Sequence, residues 1–99
     1  MLTDYVMEFL AVVAFLHGRD GAMLRDGHLF VKKEALLRLL DKNRYDTAMN
    51  KLTVWRGLQW IDCDRERFTK RVQVNQKRVR LVVVRLTVWD ILQQLAEKN

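Results

Sequence analysis

The sequence predicts an α+β domain, and three observations predict it. Through Arg56 the apolar residues recur at the three- and four-residue spacing of helices. From Leu58 to Leu86 they give way to short runs rich in Val, Ile, Phe and Thr, separated by polar turns. After Thr87 the helical spacing returns. With 99 residues, 49% hydrophobic and 30% charged, the chain reads as one domain over 1–99, large enough for a single core and too apolar for disorder.

The first element is the most apolar. Tyr5 to Leu16 carries Glu8 as its one charge; Thr3 or Asp4 caps a helix that runs to His17, and Gly18 stops it. About 12 apolar residues fall short of the roughly 20 that a bilayer span needs. The acidic flank at Asp4 is also wrong for a secretory signal. The segment is read as a buried helix, with a dimerisation helix as the alternative. Arg19 to Gly27 holds Asp20-Gly21 and Asp26-Gly27 and is a loop or weak hairpin, followed by a short strand over 28–31.

Residues 32–41, KKEALLRLLD, carry Leu36, Leu37, Leu39 and Leu40 with charges on the other side, an amphipathic second helix. Lys42, Asn43 and Arg44 form a tight turn. The third helix runs from Tyr45 to about Arg56 with Ala48, Leu52 and Trp55 inward, and ends at Gly57 or Gln59. Three runs follow, over 58–63, 68–74 and 79–86, and make a two- or three-stranded antiparallel sheet. In the last of them Val79 and Leu81 to Val84 are nearly continuous, so that strand needs cover on both faces, which the first and fourth helices would supply. Thr87 with Asp90 three residues on resembles a capping box opening the fourth helix through Val88, Ile91, Leu92 and Leu95.

Charge is distributed unevenly along this chain. Through Asp64, nine Lys/Arg balance nine Asp/Glu, and the tail from Leu86 holds one Lys against two acids. Residues 65–85 hold eight basic side chains against Glu66 alone, so the formal +6 is a local feature. Edge strands carry Lys and Arg to discourage aggregation, which accounts for two or three such residues but poorly for eight. A local basic ribbon points to a polyanionic partner.

The candidate contact residues follow from the pattern. On the last hairpin and the polar connection into it they are Arg65, Arg67, Lys70, Arg71, Gln73, Asn75, Gln76, Lys77, Arg78 and Arg80, cations for phosphates with amide donors around the turn. Strand alternation sets Thr69, Arg71, Gln73 and Asn75 on one face, and Phe68, Lys70, Val72 and Val74 on the other. On the third helix, Thr47, Asn50, Lys51 and Val54 are placed opposite the core, with Asn43 and Arg44 beside its start; Asn and Lys reach base edges in a major groove. This helix has little charge of its own, so the ribbon is expected to grip and the helix to select.

Other chemistries are weakly supported. Asp62, Cys63 and Asp64 alternate across a strand with no His or second Cys nearby, which argues against a metal site. One cysteine excludes an internal disulfide and fits a reducing cytosol. No nucleophile, base and orienting group fall into a catalytic pattern, so no enzymatic activity and no cofactor are expected. Trp55, Trp60 and Trp89 sit at element junctions and read as core pieces rather than as stacking platforms for bases.

The stretch from about Phe30 to Leu86 resembles a winged helix-turn-helix domain. The residues that carry the likeness are the second helix KKEALLRLLD, the turn KNR, the third helix YDTAMNKLTVWR and the exit GLQWIDCD, which is similar to the Gly-Leu-Ile type of junction between recognition helix and wing. The resemblance implies three helices, a β-wing and a C-terminal helix. It also implies double-stranded DNA binding in the cytoplasm, with the third helix near a major groove and the wing on phosphates or a minor groove. Two roles fit: a small transcriptional regulator, or an accessory protein of a conjugative plasmid or other mobile element, such as one that marks a transfer origin. A homodimer through the apolar first or last helix, or both, is one assembly that fits, and a monomer on direct repeats or single sites is the other. The competing readings are a protein-interaction module with an acidic partner, and binding of RNA or single strands.

Overall fold

In the computed structural model, which describes residues 2–98, nine elements follow one another: α1 (Leu2–Leu16), β1 (Ala22–Arg25), β2 (His28–Val31), α2 (Lys33–Leu40), α3 (Ala48–Gly57), β3 (Ile61–Asp62), β4 (Lys70–Val74), β5 (Lys77–Arg85) and α4 (Leu86–Glu97). Met1 and Asn99, the ends of the expected domain, lie outside the described residues. The α+β class is observed. The sheet has five antiparallel strands rather than two or three. The difference arises before α2, where the weak hairpin signal at Asp26-Gly27 is a formed hairpin: Asp26 and Gly27 take φ of 51° and 76°, the primed turn geometry that Asp-Gly favours.

β5 organises the sheet. Its C-terminal half pairs with β2, Phe30 opposite Val83, and with β3, Ile61 opposite Val84. Its N-terminal half pairs with β4, from Lys70 opposite Leu81 to Val74 opposite Lys77. Two hairpins, β1–β2 and β4–β5, therefore meet on one strand.

Two apolar clusters form on the two faces of that strand. Val82 and Val84 face the helices and pack in the main core with Phe9, Val13, Leu36, Leu40, Leu52 and Trp55. The ring of Phe9 meets Trp55 edge to face at 4.9 Å and Trp60 at 4.7 Å. Val83 faces the other way into a small cluster with Phe30 and Val72. Cover on both faces is observed, but helices supply only one side of it. The two hairpins curl toward each other on the other side, where Arg25 Nη1 of β1 donates to the Gln73 carbonyl of β4 at 3.2 Å.

α1 begins at Leu2, so Thr3 and Asp4 lie inside the helix rather than capping it, and the strands expected over 68–74 and 79–86 run over Lys70–Val74 and Lys77–Arg85. Four further differences have a local reason. α3 begins at Ala48, not Tyr45, because the Thr47 hydroxyl accepts from the Asn50 N–H and caps the helix there. The connection before it is therefore seven residues, longer than the expected KNR turn. Gly57 remains helical; the helix closes at Gln59, which takes φ of 61° while the Trp60 N–H reaches back to the Trp55 carbonyl. β3 is only Ile61–Asp62, and Leu58 is 45% exposed rather than core-facing. The Thr87 capping box is not formed, since α4 starts directly from β5 at Leu86 and the Arg85 and Leu86 N–H groups donate instead to the Trp60 and Gly27 carbonyls.

Candidate nucleic-acid interface

The β4–β5 hairpin builds the basic surface. Its register sets Arg71 opposite Arg80 and Gln73 opposite Arg78, so these four share one face of the ribbon. By alternation along β5 it is the face on which Val82 and Val84 meet the helices further on. Lys70, Val72, Val74, Lys77 and Val79 share the reverse face. The tip is Asn75-Gln76, both at positive φ, 52° and 68°, and both exposed.

Eight cations lie in 65–85, and they divide into two groups. Lys70 Nζ is 2.9 Å from Asp62 Oδ2, Arg85 Nη2 is 3.6 Å from Asp62 Oδ1, and Arg80 Nη1 is 3.0 Å from Asp64 Oδ2. The hydrogen bond from Lys70 holds the Asp62 carboxyl below its ordinary range, and the same bond raises the Lys70 ammonium. Arg65, Arg67, Arg71, Lys77 and Arg78 are exposed, and among the described residues no carboxylate stands within ion-pair distance of them. Asp62 and Asp64, considered above as metal ligands, are thus partners of the ribbon's own cations.

Two further cations flank the base of the ribbon and a third backs it, and none has a sequence signal because each depends on a long-range contact. Lys33 at the start of α2 and Arg56 near the end of α3 both lie over the Phe68 ring, 5.5 and 4.5 Å from its centre. They join the helical layer to the base of β4. Arg25 reaches the back of β4 from the other hairpin and also covers Phe30 at 5.2 Å.

The third helix presents a different surface. Lys51, expected opposite the core, is fully buried: Ala48, Lys51, Leu52 and Trp55 form one stripe at spacings of three, four and seven, and Lys51 belongs to it. Its ammonium sits 3.0 Å from Glu8 Oε1 and donates to the Leu40 and Asn43 carbonyls. Glu8, buried on α1, also accepts from Asn43 Nδ2 at 2.9 Å and from the Tyr45 hydroxyl at 2.6 Å. Burial, and then the bond to Glu8, push the Tyr45 phenol well above its ordinary range. This network ties the start of α3 to α1, so Lys51 is withdrawn from the set of contact residues and the Asn43 amide is engaged.

What remains exposed on α3 is Met49, Asn50, Thr53 and Gly57, with Thr47 exposed at its N-cap, none of them charged. Asn50 Nδ2 donates to Asp46 Oδ1 at 3.1 Å. Asp46 also accepts from the Tyr5 hydroxyl at 2.7 Å, and that bond first, then the one from Asn50, holds its carboxyl below the usual range. Arg44 is exposed beside this helix start. Val54 is half-buried, and Trp55 and Trp60 are core residues, while Trp89 donates its indole N–H to the Leu10 carbonyl.

Sequence comparison finds no protein-family model that matches this chain and no similar curated protein. Among the described residues no helix is long and apolar enough to cross a membrane.

Proposed function

We propose that this chain is a winged helix-turn-helix protein that binds double-stranded DNA without catalysing a reaction, with the β4–β5 hairpin as its wing. The observation that carries the reading is the set of five cations without a carboxylate partner among the described residues, Arg65, Arg67, Arg71, Lys77 and Arg78, gathered on one hairpin and the connection into it. Arg71, Gln73 and Arg78 lie on the face of the ribbon that continues along β5 into the helical layer, where the half-buried Arg56 near the end of α3 covers Phe68 at the base of β4. Phosphate contacts supply affinity and register, whereas the neutral surface of Asn50 and Thr53 supplies what selectivity there is. The protein acts by occupying its site, as a small regulator or as an accessory protein of a mobile element.

A twofold assembly belongs to the same reading. Leu2, Met7, Ile91 and Leu95 on α1 and α4 are each more than half exposed, and no residue of α4 is fully buried. A second copy covering this face yields two hairpins for two half-sites.

The test is fluorescence anisotropy with a random duplex at low and moderate salt. Tight binding at low salt that weakens by orders of magnitude at moderate salt is the expected result. Absence of binding at low salt contradicts the proposal and leaves the protein-interaction reading in its place. Preference for a single strand of equal length contradicts it as well.

A further inference from the structure

The reverse face of the two hairpins holds a second feature. Where the β1–β2 hairpin curls toward β4–β5, an open groove of about 730 Å³ remains between them. Its floor and walls are mostly apolar, Met23 and Phe30 on one hairpin and Val74, Val79 and Leu81 on the other, with Asn75 and the Asp64-paired Arg80 among them. This volume falls within the roughly 300–1,000 Å³ of small-molecule sites, which are mostly apolar with a few polar groups that fix orientation.

The charges at its rim have one predominant sign. Lys32 follows Phe30 by two residues in extended backbone, and Lys77 precedes Val79 by two, so alternation brings both onto the groove face. Both are exposed, and among the described residues neither has a carboxylate partner; Glu34 is the acid at this rim. The first turn of α2 opens at the same rim, with Lys32 as an N-cap residue that offers no side-chain acceptor. An apolar cleft edged by two unpaired ammonium groups suits a ligand with an apolar body and one carboxylate.

We infer that this groove binds a single-chain amphipathic carboxylate, its chain against Met23, Phe30, Val79 and Leu81 and its head group between Lys32 and Lys77. The site lies mainly on the opposite face of the ribbon from Arg71 and Arg78, with Arg80 reaching its wall and Lys77 shared with the set of free cations, so it is tested in the absence of DNA.

The experiment is a titration of the full-length ¹⁵N-labelled protein with decanoate, followed by amide shifts, with decylamine as the control of equal chain length. Saturable shifts confined to Met23, Phe30, Val74, Val79 and Leu81 are expected, with decylamine at least about tenfold weaker, since its head group meets like charge. The exposed double variant Lys32→Glu, Lys77→Glu keeps its dispersed spectrum and binds decanoate about tenfold more weakly. Equal binding of the two head groups, shifts on α1 and α4 instead, or no saturation overturns the inference. So does binding of an extended acidic and apolar peptide where decanoate fails, which makes the occupant a protein segment.

Discussion

The two hairpins that meet on β5 are built alike and charged differently. Each closes through a two-residue turn with both φ positive, Asp26-Gly27 in one and Asn75-Gln76 in the other. Each contributes to the same small apolar cluster, Phe30 from the first and Val72 from the second. The first hairpin nevertheless has Arg25 as its one Lys or Arg within β1 and β2, and leaves Leu24 51% exposed on an edge strand. The second, with the connection into it, carries eight cations. Edge protection cannot be the reason, because an equivalent edge in the same molecule does without it. Among the described residues, the five cations without a carboxylate partner are therefore surplus to the fold, which is what the proposed contact surface requires.

Four perturbations break or sharpen that contrast, taken from the largest effect to the smallest. A cation the fold does need is Lys51. Lys51→Met leaves Glu8 buried without its counter-charge, and urea unfolding should register a loss of about 3–5 kcal/mol. Neutralising cations the fold does not need should have the opposite profile. Arg67→Gln, Arg71→Gln and Arg78→Gln together leave the thermal midpoint within about 3 °C. The same triple variant lowers affinity for random duplex by about two orders of magnitude at low salt.

Asp62→Asn works in the other direction, by releasing Lys70 and Arg85 from their ion pairs. Duplex affinity should rise several-fold, with a salt slope steeper by about one, as anisotropy at three salt concentrations will show. Asp62 also carries a pH signature. Its pKa is depressed in the folded state, so the stability it contributes is present above the unfolded carboxylate value of about 3.9 and is lost as pH falls through the lower folded value. Thermal melts between pH 3 and 5, compared for wild type and Asp62→Asn, check this: the acid loss should be smaller in the variant. The smallest effect is at the turn. Gln76 holds φ of 68°, where Gly27 sits in the other hairpin, so Gln76→Gly should add about 0.5–1 kcal/mol, which urea unfolding will show.

Much of this was legible in the sequence, and the failures have physical causes. The helices announced themselves through apolar spacing, and the short strand over 28–31 was placed correctly because Asp-Gly punctuates it on one side and Lys-rich sequence on the other. β1 was half-seen, since Ala22 to Arg25 has neither alternation nor β-branched residues and exists because β2 offers it an edge. Lys51 was misplaced although the signal was present. One lysine in the stripe of Ala48, Leu52 and Trp55, and one carboxylate in the apolar run from Tyr5 to Leu16, are two isolated charges on buried faces, and burial requires that they meet. The basic ribbon was visible by counting, but not its division into paired and free cations. That depends on where Asp62 and Asp64 fall across β5, a matter of register that composition does not encode.

The central claim is that the free cations of β4–β5 and of the connection into it contact nucleic-acid phosphates, and the slope of log affinity against log salt concentration on a random duplex measures it most directly. With five contacts the wild-type slope should lie near −4 to −5, about −0.9 for each phosphate neutralised, and the Arg67, Arg71, Arg78 triple variant should fall to about −2. An unchanged slope in that variant, accompanied by a reduced slope when Arg44 and Arg56 are neutralised instead, would place the phosphate contacts on the helices and contradict the account.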